Sequence, residues 1–272
     1  MLVQTDIPSK NNKRIMWEFL LFTFAFAWGT ELLMIAAGRL SLPAGGVESF
    51  LHYGLIIIGP GLSPAYAAFI IQKKYMKITF RGFCKQIFYT GSIWKTALLT
   101  IIFACIQFLA CVTQESYRGN PWYLFILFMP LMVLGGGMEE IGWRGVLQPL
   151  LENRFPFLAA AVMEGALWSV WHLPLWFVPN TTQADMSFTA FTLYCITLGC
   201  TLAAVYRLTK SIWASILVHA WGNTILGGMY TFTSLTEFPG IKTIIIYTIQ
   251  IVLIILVYTI CNKIFILYHK KQ

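Results

Sequence analysis

The stretch from Trp122 to Gly145, WYLFILFMPLMVLGGGMEEIGWRG, decides how the chain is read. The apolar run Trp122 to Leu134 enters a bilayer without cost, and the residues after it stay largely apolar. Two adjacent carboxylates, Glu139 and Glu140, interrupt it. An ionised carboxylate at the centre of a membrane helix costs ~2.5–3.5 kcal/mol on insertion scales, so a pair needs partners and points to a task. Partners are few. The chain has four histidines, of which His172 and His219 also fall in apolar segments.

Working outward, the 272 residues are 58% hydrophobic and only 11% charged, whereas soluble domains carry about 25% charged residues. An all-α polytopic membrane protein follows. Eight segments have the ~20-residue length a bilayer requires: 16–38, 49–71, 93–113, 121–143, 157–178, 187–206, 211–229 and 241–260. Gly59-Pro60-Gly61 and Pro64 predict a kink or break in the second. The stretch Lys73 to Lys85 fits either a short amphipathic surface helix or a solvated loop.

Basic residues set the orientation. With the N-terminus inside, 16 of the 19 lysines and arginines are cytoplasmic, Arg144 counted among them, and only Arg39, Arg118 and Lys242 are outside. Both termini then lie in the cytoplasm. The net charge of +8 reflects topology and contact with anionic lipid. There is no nucleic-acid motif, so nucleic acid is excluded as a partner. The first apolar segment follows basic residues like a signal sequence, but its length and Glu18 and Glu31 favour an uncleaved span. Six scattered cysteines, with no Cys-x-x-Cys, form neither a disulfide nor a zinc framework. Three parts result: residues 1–120 with helices one to three and a basic cytoplasmic loop; 121–228, a core of helices four to seven; and 229–272, a last helix and basic tail.

Residues four apart share a helix face, while neighbours lie about 100° apart. Glu140 and Arg144 are therefore a same-face pair, acid before base in the favourable order. Glu139 faces elsewhere and needs a partner from another helix. Glu164, Trp168 and His172 form one stripe on the next segment, and His219 and Asn223 share a face further on. Counted from a hairpin tip at Asn153, Glu139 lies roughly 21 Å up one helix and His172 roughly 27 Å up the next. The two can meet, with the tip projecting into the cytoplasm. Two histidines, a free glutamate and an asparagine suit attack of water on a carbonyl. Each also has a plainer reading: a structural ion-pair network or ion pathway for the glutamates, a packed histidine for His172, interhelical glue for His219 with Asn223. Glu164 reads as a helper or cavity-lining residue, and Trp143 and Trp168 as site walls. His52 and His269 read as solvated.

Three motifs in order resemble the CAAX-protease and bacteriocin-processing family of intramembrane proteases, which includes the type II CAAX prenyl protease. They are Glu139-Glu140-Ile141-Gly142-Trp143-Arg144 for Glu-Glu-x-x-x-Arg, Trp168 four residues before His172 with Trp where Phe is commoner, and His219-Ala220-Trp221-Gly222-Asn223 for His-x-x-x-Asn. The resemblance covers about 121–228. It implies an integral membrane endopeptidase with an eight-helix core and an active site facing the cytoplasm, in the cell membrane, acting on a membrane-associated protein or peptide. Glu139 and His172 would activate water, His219 and Asn223 would support the oxyanion, and Glu140 and Arg144 would hold the site. Zinc on two histidines and a glutamate and a metal-free glutamate mechanism both stand, with the metal-free one preferred; no His-Glu-x-x-His is present. The rival reading is a non-catalytic membrane immunity or interaction protein on the same fold. A transporter is disfavoured by the single clustered site and the lack of inverted repeats. Prenylation of the substrate and the oligomeric state stay open; the chain ends His-Lys-Lys-Gln, without a Cys-a-a-X ending of its own.

Overall fold

Backbone polar groups have no water to bond in hydrocarbon, so apolar segments of this length close their hydrogen bonds as helices. The computed structural model describes residues 11–38, 51–52 and 54–269, with side chains as far as 264, and these are mostly helical. In chain order the elements are α1 Asn12–Gly38, α2 Gly54–Met76, α3 Phe80–Ile87, α4 Ile93–Gln114, α5 Leu124–Glu152, α6 Phe157–Trp171, α7 Phe188–Thr209, α8 Ile212–Ile225 and α9 Ile241–His269. Each of the eight expected segments is one of these helices. The extra element, α3, settles the Lys73 to Lys85 stretch: Thr79 caps its N-terminus on Gly82 N, and Phe83 and Ile87 are its buried face.

Among the described residues, six helices are long and apolar enough to cross a membrane: α1, α2, α4, α5, α7 and α9. The other two, α6 with 15 residues and α8 with 14, reach only about 22 Å, short of the ~30 Å hydrocarbon core. These two carry His172 and His219. After α6 the chain tightens into a 3-10 turn, Leu173–Phe177, with Pro174 in its first turn. After α8 it folds back through Gly227, which has φ +87, a left-handed value that favours glycine.

The kink expected in α2 is a widened π turn at Ile57–Gly61 that includes Pro60, after which the helix resumes. A side chain on Gly59 would come within 2.4 Å of Thr30, so glycine lets α1 and α2 approach. The hairpin tip is exposed at Asn153 and Arg154, while the helix leading to it is packed. Gln148, Leu150 and Leu151 are buried, Gln148 Nε2 donates to Ala203 O at 3.2 Å, and Glu152 pairs with Arg207.

The helix ends sort into two groups. At one end lie the start of α1, the end of α2 and the hairpin tip, where Glu18 bridges Arg14 and Lys74. At the other, Gly38 abuts Pro179, Arg118 N bonds Met229 O, Thr231 N bonds Ser116 O and Ser187 N bonds Leu235 O. Glu115 ties this second end together, accepting from Thr231 Oγ1, Thr233 N and Oγ1, and Ser234 N at 2.7–2.9 Å. Burial works against its carboxylate, yet bonds from Ser234, Thr231 and Thr233 outweigh burial and hold its pKa below the usual value.

Candidate functional site

The Gly135-Gly136-Gly137 run ends the regular part of α5 and lets it press against α8. A Cβ on Gly137 would sit 2.9 Å from Ile216 O, and one on Gly136 would sit 2.4 Å from Asn223 Nδ2 and 3.2 Å from His219 Nε2. The backbone then tightens into a 3-10 turn, Gly137–Glu139, and widens into a π turn, Trp143–Leu147. Both changes shift side-chain directions around the two glutamates, as π insertions often do at functional sites.

The two carboxylates part company as their helix faces predict. Glu140 Oε2 pairs with Arg144 Nε at 3.0 Å, and Glu140 Oε1 lies 2.9 Å from His219 Nδ1. Glu139 Oε2 accepts instead from the indole N–H of Trp168 at 2.7 Å. So the interhelical partner of Glu139 is a neutral donor, and Trp168 does more than wall the site. Its main-chain oxygen lies 2.9 Å from His172 Nδ1. A carbonyl only accepts, so His172 carries its proton on Nδ1 and turns a lone pair on Nε2 to other work. The Trp168 ring meets both imidazoles edge-on, with centroids 5.4 Å from His172 and 5.1 Å from His219.

Of the two roles expected of Glu164, helper or cavity lining, the second is not taken up. Glu164 Oε1 pairs with Arg144 Nη1 at 2.6 Å, with both side chains at most 2% exposed. A buried row Glu164–Arg144–Glu140–His219 results, extended by Arg144 Nη2 to Gly199 O at 3.4 Å. Arg144 is thus in the core rather than at the cytoplasmic face. The four-residue spacing of Glu164 ahead of Trp168 and His172 carried the signal, since it put a carboxylate on the site-facing stripe. The close approach that brings α6 and α7 to Arg144 rests on Gly165 and Gly199: a Cβ on Gly165 would be 2.6 Å from Ile196 Cα.

A cavity of about 800 Å³ takes in Glu139, Trp168, His172, His219 and Asn223. Its far wall is apolar, with Phe128, Met132, Phe191 and Leu235, and its rim carries Arg118, Asn180, Thr182 and Asp185, all exposed. Of the six sequence-predicted residues, Glu139, His172, His219 and Asn223 meet at the cavity, and Glu140 and Arg144 lie behind it. The rim belongs to the end of the molecule opposite Asn153.

Among the described residues, no three His, Cys, Asp or Glu side chains gather as a metal-holding set. His219 Nδ1 is taken by Glu140, His172 Nδ1 by a carbonyl and Glu139 by an indole. These bonds engage one ring nitrogen of each histidine and leave Nε2 as the atom that could meet a ligand, as in imidazoles whose Nδ1 is held by a carboxylate or carbonyl.

Comparison with known proteins bears on residues 120–225, which match the family model described as Rce1-like, type II CAAX prenyl endopeptidase Rce1-like. A curated relative, CAAX prenyl protease 2 of Methanococcus maripaludis, is 32% identical over 91 residues, covering 33% of this chain and 34% of that protein. The chain thus spans about a third of the length of the curated relative it matches.

Proposed function

We propose, from the premise that residues 120–225 are a core of the CAAX-protease family, that the protein is an intramembrane endopeptidase hydrolysing a peptide bond of a membrane-associated protein or peptide. One observation carries this reading: Glu139 and His172 are both anchored on Trp168, facing the cavity into which His219 and Asn223 also point. That is a base pair on one side and two nitrogen donors on the other.

In the proposed reaction, a water enters between Glu139 and His172. The proton leaves it for the carboxylate or for His172 Nε2, and its oxygen adds to the scissile carbonyl carbon. The electron pair of the C=O bond moves to oxygen, where His219 Nε2–H and Asn223 Nδ2–H donate to it. Collapse breaks the C–N bond, and the proton held by the base passes to the leaving nitrogen. Arg144, Glu140 and Glu164 touch no substrate in this scheme; they position His219. The apolar wall accepts hydrophobic side chains around the bond to be cut.

The test is purified protein in detergent against a broad library of apolar peptides. Cleavage is expected from the parent and at least 10²-fold less from Glu139→Gln, in line with the loss of a general base. Cleavage unchanged in Glu139→Gln would sink the mechanism, and a folded parent that cuts nothing would turn the balance to the immunity or interaction reading.

A further inference from the structure

We infer that the cavity is served from the extracytoplasmic face of the membrane, so that its substrates are apolar peptide segments presented outside the cytoplasm. The chemistry inside the cavity rests on the endopeptidase reading above; the orientation does not.

Four observations point the same way. First, charge divides the molecule. Of the described lysines and arginines, twelve lie at the end that holds the α1 start and the Asn153 tip; Arg118 and Lys242 lie at the other, and Arg144 is in the core. Basic loops stay in the cytoplasm. Second, the cavity rim is at the end poor in positive charge: Asn180, Thr182, Asp185 and Arg118 are all exposed there. Acidic Glu115, Asp185 and Glu237 accompany it. Third, the stretch of α5 between the site and the basic end is packed into the core: Trp143, Arg144, Leu147, Leu150 and Leu151 are each at most 2% exposed. Fourth, the two short helices start at the basic end and stop at the site. His172 follows the last residue of α6, and Asn223 lies in the final turn of α8, so the space beyond their ends is the cavity. A cytoplasm-facing mouth would require turning the molecule over, which puts the twelve basic residues outside.

The experiment reads orientation without reading activity. Full-length protein carries Thr182→Cys at the rim or Asn153→Cys at the tip, in the parent background and in one lacking its own cysteines. A membrane-impermeant maleimide is added to intact cells, with the parent as blank. Thr182→Cys should label at least tenfold more than the blank, and Asn153→Cys should reach that level only after permeabilisation. Asp185→Cys and Phe155→Cys repeat the comparison should either first variant not accumulate. The reverse pattern overturns the inference, as does labelling of both sites, or of neither, before permeabilisation. A library of apolar peptides tethered on the outer or the inner face then separates the two claims. Cleavage of the outer library alone supports both. Cleavage confined to the inner library overturns the orientation. Outer labelling with neither library cut leaves the orientation standing and removes the endopeptidase reading.

Discussion

Exchanging each glutamate for glutamine separates the two carboxylates by stability as well as by activity. Glu140 makes a 3.0 Å contact to Arg144 and a 2.9 Å contact to His219, with all three side chains at most 2% exposed. Removing one partner of a buried ion pair costs about 3–5 kcal/mol, because the other charge stays buried. Arg144 keeps Glu164 at 2.6 Å, so Glu140→Gln should fall at the lower edge, about 3 kcal/mol. Glu139 accepts from the neutral indole of Trp168, and a glutamine oxygen still accepts that bond. That exchange should cost no more than about 1 kcal/mol. The gap of about 2 kcal/mol corresponds to a melting difference of roughly 4–8 °C, at 2–4 °C per kcal/mol for chains of this class. Thermal melts followed by tryptophan fluorescence, in one detergent, measure it, with peptide turnover in parallel. Glu139→Gln should lose turnover and melt near the parent, whereas Glu140→Gln should lose both. Equal melting losses, or a lower melting point for Glu139→Gln, would refute the division.

Three more outcomes are expected. Gly136→Ala puts a methyl 2.4 Å from Asn223 Nδ2, so turnover should fall about 10²-fold, as on loss of one oxyanion donor, with KM little changed; unaltered kcat would clear Asn223 of that role. Glu115→Gln weakens the ties to Thr231, Thr233 and Ser234 and should cost about 1–3 kcal/mol in a detergent melt. Since the folded Glu115 pKa is lowered, its contribution is complete above the ordinary glutamate range and disappears as pH falls through the lower folded value; melting against pH should therefore be flatter at the acid end in Glu115→Gln, and identical profiles would contradict the assignment. Elemental analysis before and after prolonged chelation should find turnover independent of zinc, while stoichiometric zinc whose removal and return switch activity off and on would defeat the metal-free mechanism.

The helical architecture was legible because apolar length and hydrogen-bond closure leave a membrane chain little choice. The split between Glu139 and Glu140 was legible for a local reason: a 100° step per residue separates neighbours whatever the tertiary packing. Contacts between helices were less accessible. Nothing in the spacing of Trp168 says that its indole takes Glu139 and its carbonyl takes His172. Glu164 was read as a helper or cavity-lining residue, and its partner Arg144 is reached through the close approach of α6 and α7 at Gly165 and Gly199. Side of access is a separate matter from height. A position roughly 27 Å from the Asn153 tip lies across most of a ~30 Å core, so the count gives the distance of His172 from the tip and leaves the face on which the cavity opens to the distribution of charge.

The row Glu164–Arg144–Glu140–His219 also bears on which histidine does what. An oxyanion donor at His219 Nε2 requires a proton on that nitrogen, and the ring is held for this by its other nitrogen, Nδ1, at 2.9 Å from Glu140 Oε1. Glu140 is in turn fixed by Arg144 at 3.0 Å, and Arg144 by Glu164 at 2.6 Å, so what orients His219 is a charged row. His172 has no carboxylate in its described contacts: its Nδ1 meets a carbonyl and its ring meets Trp168, Trp171 and Phe191. A neutral ring with a free Nε2 lone pair is what that surrounding stabilises, and a base is what the ring can then be. In the proposed mechanism the division of labour between the histidines thus follows from what holds each ring. Arg144 would act on it at a distance, by holding Glu140 and Glu164 in place.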